Sequence, residues 1–153
     1  MQTSLPRIDN VELNTLILDL NGTISVNGKL IDGVREKLTK LKEIGFSIYV
    51  FSGDVRGTAR DLCISIGIEL KICKSHTEKE EDILALSPDS TVAIGNGRID
   101  IGMFRHAKLS IATLQAEGIH PAILPHVDIL MTNINEAFDL LLDQETLDAT
   151  LKQ

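Results

Sequence analysis

Asp19, Asn21, Ser52, Asn96 and Asp100 each follow an apolar run, Lys79 precedes or opens a later helix, and together their types could handle a phosphoryl group. A carboxylate such as Asp19 can displace a leaving group from phosphorus and form an acyl phosphate, splitting one hard step into two. The negative charge of that group must then be offset by a cation, a lysine, or hydroxyl and amide donors. Magnesium favours carboxylate and carbonyl oxygens and keeps several waters. Asp19, the backbone carbonyl of Asn21, and Asp100 are donors of that kind. Gly22 and Gly53 would let backbone amides approach a phosphate closely. Each residue also has a structural reading. Asp19 could cap a turn, Ser52 could form one, and Lys79 could be a solvated helix residue. Asn96 could serve only to shape the Gly95-Asn96-Gly97 turn, and Asp100 could be a charge favourable to a helix N-terminus.

The elements that must position these residues alternate along the chain. Strand-like runs at Thr15–Leu20, Phe46–Phe51, Ile68–Cys73, Thr91–Ile94, Leu109–Ala112 and Val127–Met131 are separated by helix-period segments. Asn27-Gly28 between Ile24-Ser25-Val26 and Lys29-Leu30 marks a two-residue hairpin. One helix carries Val34, Leu38, Leu41 and Ile44, and Gly45 ends it. The next carries Val55, Ala59, Leu62, Cys63 and Ile66, with Gly67 closing it. Thr77 with Glu80 reads as a capping box opening a third helix. A fourth runs through Met103, Phe104 and Ala107, and a last one carries Ile134, Ala137, Phe138, Leu141 and Leu142. Such alternation predicts a three-layer, Rossmann-like α/β domain with a parallel sheet of about five strands, spanning residues 1–153. In such sheets ligands gather at the carboxyl ends of the strands, which is where the polar residues fall.

Four stretches resemble the motifs of the haloacid-dehalogenase-like (HAD) phosphohydrolases, in the same order and between the same elements. Leu16-Ile17-Leu18-Asp19-Leu20-Asn21-Gly22-Thr23 is similar to the first motif, hhhDxDGT, whose leading Asp attacks phosphorus. Tyr49-Val50-Phe51-Ser52-Gly53 resembles the second, whose hydroxyl holds phosphate. Lys79 takes the place of the third motif's lysine, with Lys74 the alternative. Ala93-Ile94-Gly95-Asn96-Gly97-Arg98-Ile99-Asp100 resembles the magnesium-holding fourth motif, GDGxxD. The resemblance implies Asp19, Asn21 and Lys79 as catalytic, and Ser52, Gly53, Gly22 and Thr23 around the phosphate. It places Asp19, Asn21, Asn96 and Asp100 around Mg2+. The Asn-Gly-Thr and Gly-Asn-Gly-Arg variants point to the soluble P-type-ATPase-like subgroup. Asn21 stands where ordinary relatives have the acid that protonates the leaving group, and Asn96 where they have an aspartate. The resemblance thus implies a slow phosphatase or ATPase-like hydrolase with a long-lived aspartyl phosphate. The alternative is a catalytically weak domain that binds phosphate or a protein partner.

Composition sets the remaining expectations. A net charge of −7 and an aromatic content of 3% argue against nucleic-acid binding. No apolar stretch is long enough to span a bilayer, and the N-terminus lacks signal-peptide character, so a cytoplasmic protein is expected. Cys63 and Cys73 match no redox or metal spacing and read as small core residues. Of the four histidines, His76, His106, His120 and His126, the last two flank proline-bearing loop sequence rather than one helix face, which disfavours a zinc site. Glu78, Glu80, Glu81 and Asp82 read as a solvated helix start, and Arg98 as a surface residue or a substrate contact from the fourth loop. The segments between motifs are filled by the hairpin at residues 24–30 and by helices and strands, leaving no room for a cap. An open site of that kind needs a large substrate or a neighbouring subunit to exclude water, so a homo-oligomer acting on a phosphorylated substrate is expected.

Overall fold

The computed structural model describes residues 3–53 and 57–153. Among them, strands β1 (Thr15–Leu18), β2 (Ser47–Ser52), β3 (Glu69–Ile72), β4 (Thr91–Gly95), β5 (Leu109–Thr113) and β6 (Ile129–Met131) form one parallel sheet. Their order across it is β6-β5-β4-β1-β2-β3. All six apolar runs pair, one more than the expected count of about five, because the polar run β3 and the short run β6 close the two edges. The chain winds outward from β1 in one direction through β2 and β3, then returns and winds the other way from β4. The switch point therefore lies between β1 and β4, where open α/β sheets bind ligands.

Side chains alternate across each strand, and the two faces bury separate apolar clusters. Leu16, Leu18, Val50, Val92, Ile94 and Ile111 face one cluster with α1 (Val34–Glu43), α2 (Gly57–Ile66), α5 (Ile134–Leu141) and α6 (Gln144–Leu151). Ile17, Phe51, Ala93 and Ala112 face the other with α3 (His76–Leu84) and α4 (Ile101–Phe104). This is the three-layer arrangement that alternating strands and helices dictate. The expected inward faces of α1 and α5 are buried at Val34, Leu38, Leu41, Ile134, Ala137, Phe138 and Leu141. Val55, assigned by periodicity to the second helix, lies outside the described residues.

Local chemistry explains several boundaries. Asn27 and Gly28 both have positive φ (53° and 76°), as the twist of a two-residue hairpin requires, and they join Ser25–Val26 to Lys29–Leu30. The third helix is capped by Ser75 rather than Thr77: Ser75 Oγ accepts from the Glu78 N–H at 3.2 Å. Glu80 takes no part in that cap and instead pairs with Arg105 at 3.1 Å. The expected helix through Ala107 is shorter, a 3-10 turn at Arg98–Asp100 followed by the four residues of α4. Elements not foreseen among the described residues include the hairpin of Arg7–Ile8 with Val11–Glu12, the 3-10 helices Pro88–Ser90 and Pro121–His126, and α6.

Candidate active site

β1 and β4 lie in register, with Leu18 opposite Ile94, so the loops after them leave the sheet side by side. The Asp19 N–H donates to the Ile94 carbonyl at 2.9 Å, which fixes the first residue beyond β1 against β4. From the other face, α3 presents Lys79 and Ile83, one turn apart and both buried. The lysine stem runs through the apolar layer and its ammonium emerges between two carboxylates. Nζ donates to Asp19 Oδ1 at 3.0 Å and to Asp100 Oδ1 at 2.6 Å. Lys79 and Asp100 are 0% exposed and Asp19 is 9% exposed, so only the Asp19 carboxyl reaches the surface.

Asp100 is held on all sides. Its Oδ2 accepts from the backbone N–H groups of Asn96 and Gly97, both at 3.0 Å, folding the β4 exit loop around the carboxylate. A Cβ on Gly95 would lie 2.4 Å from that oxygen, so this fold-back needs a glycine. The Asn96 side chain donates Nδ2 to the Gly118 carbonyl at 3.0 Å. Asn21 is exposed at the site mouth, with Oδ1 accepting from Ser25 Oγ at 3.4 Å. Thr23 is fully buried and its hydroxyl reaches Asp19 Oδ2 at 3.4 Å. Gly22 turns the loop at φ 79°, and a Cβ there would press on Asn96 Nδ2 at 2.7 Å and on the Glu117 carboxylate at 2.9 Å.

Charge follows from this geometry. Burial, reinforced by Asp100 and opposed by Lys79, pushes the Asp19 carboxyl up to about 7 from its ordinary 3.8. Burial works against the Lys79 ammonium, but the Asp100 and Asp19 carboxylates outweigh it and hold the amine more firmly protonated than usual. One ammonium thus serves two buried carboxylates, leaving an excess of negative charge that a cation would balance. The oxygen donors near it (the Asp19 carboxylate, the Asn21 backbone carbonyl, the Asn96 amide oxygen) are hard ligands of the type magnesium accepts. Asp100, expected among the metal ligands, instead has Oδ1 engaged by Lys79 and Oδ2 by the Asn96 and Gly97 amides, so it orients Lys79 and the Asn96 loop.

Ser52 ends β2, buried, on the strand beside β1, and Gly53 follows it, exposed. Lys74, the alternative lysine, is exposed, as are His76, His120 and Arg98. No group of three or more His, Cys, Asp or Glu side chains converges among the described residues. Cys63 and Cys73 are free and buried. Burial and the neighbouring Asp82 carboxylate push the Cys73 thiol up to about 12, and burial raises Cys63. Sequence reasoning missed Gln115, Gly118 and His120, which bind the two site loops from the β5 exit. The signal was available: β5 ends on the same side of the sheet as β1 and β4.

A parallel sheet with a reachable carboxylate at its switch point and a buried lysine behind it is the architecture of the HAD hydrolases, and the chain has that fold. Two solved structures share it closely. One is the cobalt-bound deoxy-D-mannose-octulosonate 8-phosphate phosphatase of Haemophilus influenzae. Its TM-score is 0.68 at 16% identity, over 92% of this chain and 94% of that one. The other is the 3-deoxy-D-manno-octulosonate 8-phosphate phosphatase of Moraxella catarrhalis, in complex with magnesium, phosphate and KDO. Its TM-score is 0.69 at 16% identity, again over 92% and 94%. By sequence the chain is similar to a soluble P-type ATPase-like phosphatase of Methanocaldococcus jannaschii, 26% identical over 133 residues. That match takes in 84% of this chain and 49% of the relative, so the chain spans about half the relative's length. No family model matches the sequence.

Proposed function

We propose that this chain is a magnesium-dependent phosphohydrolase that works through an aspartyl phosphate on Asp19. The observation that carries the reading is the Lys79 ammonium, wholly buried and bridging Asp19 and Asp100 behind a carboxyl that reaches the surface. Lys79 occupies Asp19 Oδ1 at 3.0 Å, and Oδ2, which the Thr23 hydroxyl reaches at the longer 3.4 Å, is proposed as the oxygen that attacks. The new bond joins that oxygen to phosphorus as the bond to the leaving oxygen breaks. Water then attacks phosphorus, releases inorganic phosphate and regenerates the carboxylate. Ser52 and the loop amides of Gly22, Thr23 and Gly53 are the groups proposed to receive the phosphoryl oxygens. Magnesium, when bound by Asp19, the Asn21 carbonyl and Asn96, would offset the charge of the phosphoryl group. The relative's name and the phosphatase neighbours support the same reaction class.

Asn21, exposed at the mouth, can hydrogen-bond a leaving oxygen but supplies no proton, so turnover is slow in this reading. No helix among the described residues is long and apolar enough to cross a membrane. With two free buried thiols, we assign the protein to a reducing cytoplasm. The open site is completed by the hairpin at Asn27-Gly28 or by a second copy of the chain, and the substrate is a phosphomonoester. Hydrolysis of p-nitrophenyl phosphate and a panel of phosphomonoesters, with magnesium or with chelator, tests the proposal. Activity should need magnesium and vanish in Asp19→Asn. Activity that survives Asp19→Asn would overturn it. Saturable phosphate binding without turnover would favour the binding-module reading, to which the amides at Asn21 and Asn96 lend support.

A further inference from the structure

Gln115 leaves β5 at the same end of the sheet as Asp19 and Asn96, and both ends of its amide are engaged. Nε2 donates to the carbonyls of Thr23 at 2.7 Å and Gly22 at 3.1 Å, with Thr113 Oγ1 at 3.3 Å. Oε1 accepts from the N–H of Ile134, the first residue of α5, at 2.5 Å. The two carbonyls belong to the loop that follows the nucleophile. That loop is tied from its other side too: Gly22 N donates to Ser25 O at 2.8 Å and Thr23 N to Leu20 O at 3.2 Å. The rest of the Gln115 loop grips the second site loop. Gly118 O accepts from Asn96 Nδ2, and His120 N donates to Asn96 O, both at 3.0 Å.

We infer that Gln115 is a positioning residue for the reaction: it locks the Gly22–Thr23 loop to β5 and α5 and so sets the Asp19 loop in register with the Asn96 loop. An NH2 group is what the position requires, because the backbone carbonyls of Gly22 and Thr23 converge on it. Misplacing a reacting group by about 1 Å can cost two orders of magnitude in rate. The kinetic part of this inference rests on the phosphohydrolase reading; the ordering of the loop does not.

Gln115→Glu isolates the donor function, since it keeps the chain length and the acceptor for Ile134 but turns an oxygen toward the two carbonyls. Gln115→Ala removes both functions. Hydrogen exchange should speed up at the amides from Gly22 to Ser25 in both variants, and at the start of α5 in Gln115→Ala alone. The value of kcat/KM for p-nitrophenyl phosphate should fall at least tenfold in both, as should the affinity for beryllium fluoride with magnesium. Unchanged exchange at Gly22–Ser25 in Gln115→Glu overturns the inference. So does a loosened loop with wild-type kcat/KM and wild-type fluoride affinity, which would make the contact structural only. A wild-type protein that neither hydrolyses nor binds fluoride refutes the phosphohydrolase reading instead, and the exchange arm then decides whether Gln115 orders the loop. If Gln115→Ala fails to fold, Gln115→Glu carries the test.

Discussion

Lys79 is the residue on which the site's electrostatics turn. It neutralises one of two carboxylates that the fold has taken out of water, so removing its charge would leave both uncompensated. Breaking a buried ion pair by deleting one partner typically costs about 3–5 kcal/mol. Lys79→Met keeps most of the volume, and should lower the unfolding free energy by roughly 3 kcal/mol at pH 8. At pH 5, where Asp19 can take up a proton, the loss should be smaller. Urea melts at both pH values check this, and an equal loss at both would show that packing rather than charge is at stake. Asn21 poses the complementary question. Its amide cannot protonate a leaving oxygen or deprotonate water, and general acid–base catalysis is worth about 10²–10⁴-fold. Asn21→Asp should raise turnover at least tenfold, about 1.4 kcal/mol of barrier, with magnesium saturating in both proteins. Unchanged turnover would mean that the missing acid does not limit the reaction.

At the scale of elements, what the sequence disclosed depended on how strongly each pattern was tied to burial or to a turn. β1, β2, β4 and β5 are apolar runs with no other place to go, and Asn27-Gly28 is a two-residue turn whose φ values few other pairs adopt. The start of α3 was misplaced because Thr77 with Glu80 fits a capping box, a pattern that Ser75 with Glu78, the observed cap, fits equally. Packing decides it: Glu80 is drawn to Arg105 and His106 on the facing segment, leaving Ser75 to cap. α6 was obscure because Leu147 alone is buried in it, though Asp143 accepting from the Thr146 N–H is a readable cap. Lys79 and Asp100 could be placed near the site by motif spacing, yet their direct bond depends on α3 packing against the Arg98–Asp100 turn and α4, which no local pattern encodes. Gln115 escaped because an amide carries no reactive chemistry of its own. The β4 exit also supplies a test. Gly95→Ala would drive a methyl into the Asp100 carboxylate, which is pinned by Lys79 and two amides. Overpacking of this kind costs roughly 1–3 kcal/mol. The penalty should shrink in an Asp100→Ala background, as a double-mutant cycle would reveal. Equal penalties in both backgrounds would place the clash elsewhere.

For the whole molecule, the site couples global stability to pH and, on the proposed function, to metal. The native Asp19 carboxyl titrates at about 7 against an ordinary 3.8, because burial and Asp100 outweigh Lys79. The folded chain therefore holds that proton more tightly than the unfolded chain does. The stability this contributes is fully present below about pH 4 and is lost as pH rises through about 7. Metal-free protein should thus carry its largest electrostatic penalty above pH 7, where the two carboxylates share one ammonium. On the proposed function, magnesium would act in the opposite sense, since it would bind the folded site and need the ionised carboxylate. A ligand at one hundred times its Kd adds about 2.7 kcal/mol to the folded state. Below pH 7 part of that gain is spent on displacing the proton. The rise in Tm produced by saturating magnesium should therefore be larger at pH 8 than at pH 5.5, with proton release on binding detectable by calorimetry in two buffers near pH 6.5. Asp19→Asn, which has no proton to displace, should lose both the pH dependence of the shift and most of the shift itself. A magnesium shift of equal size at both pH values in the wild type, or one that persists in Asp19→Asn, would move the cation away from Asp19 and with it the carboxylate's role as the metal-assisted nucleophile.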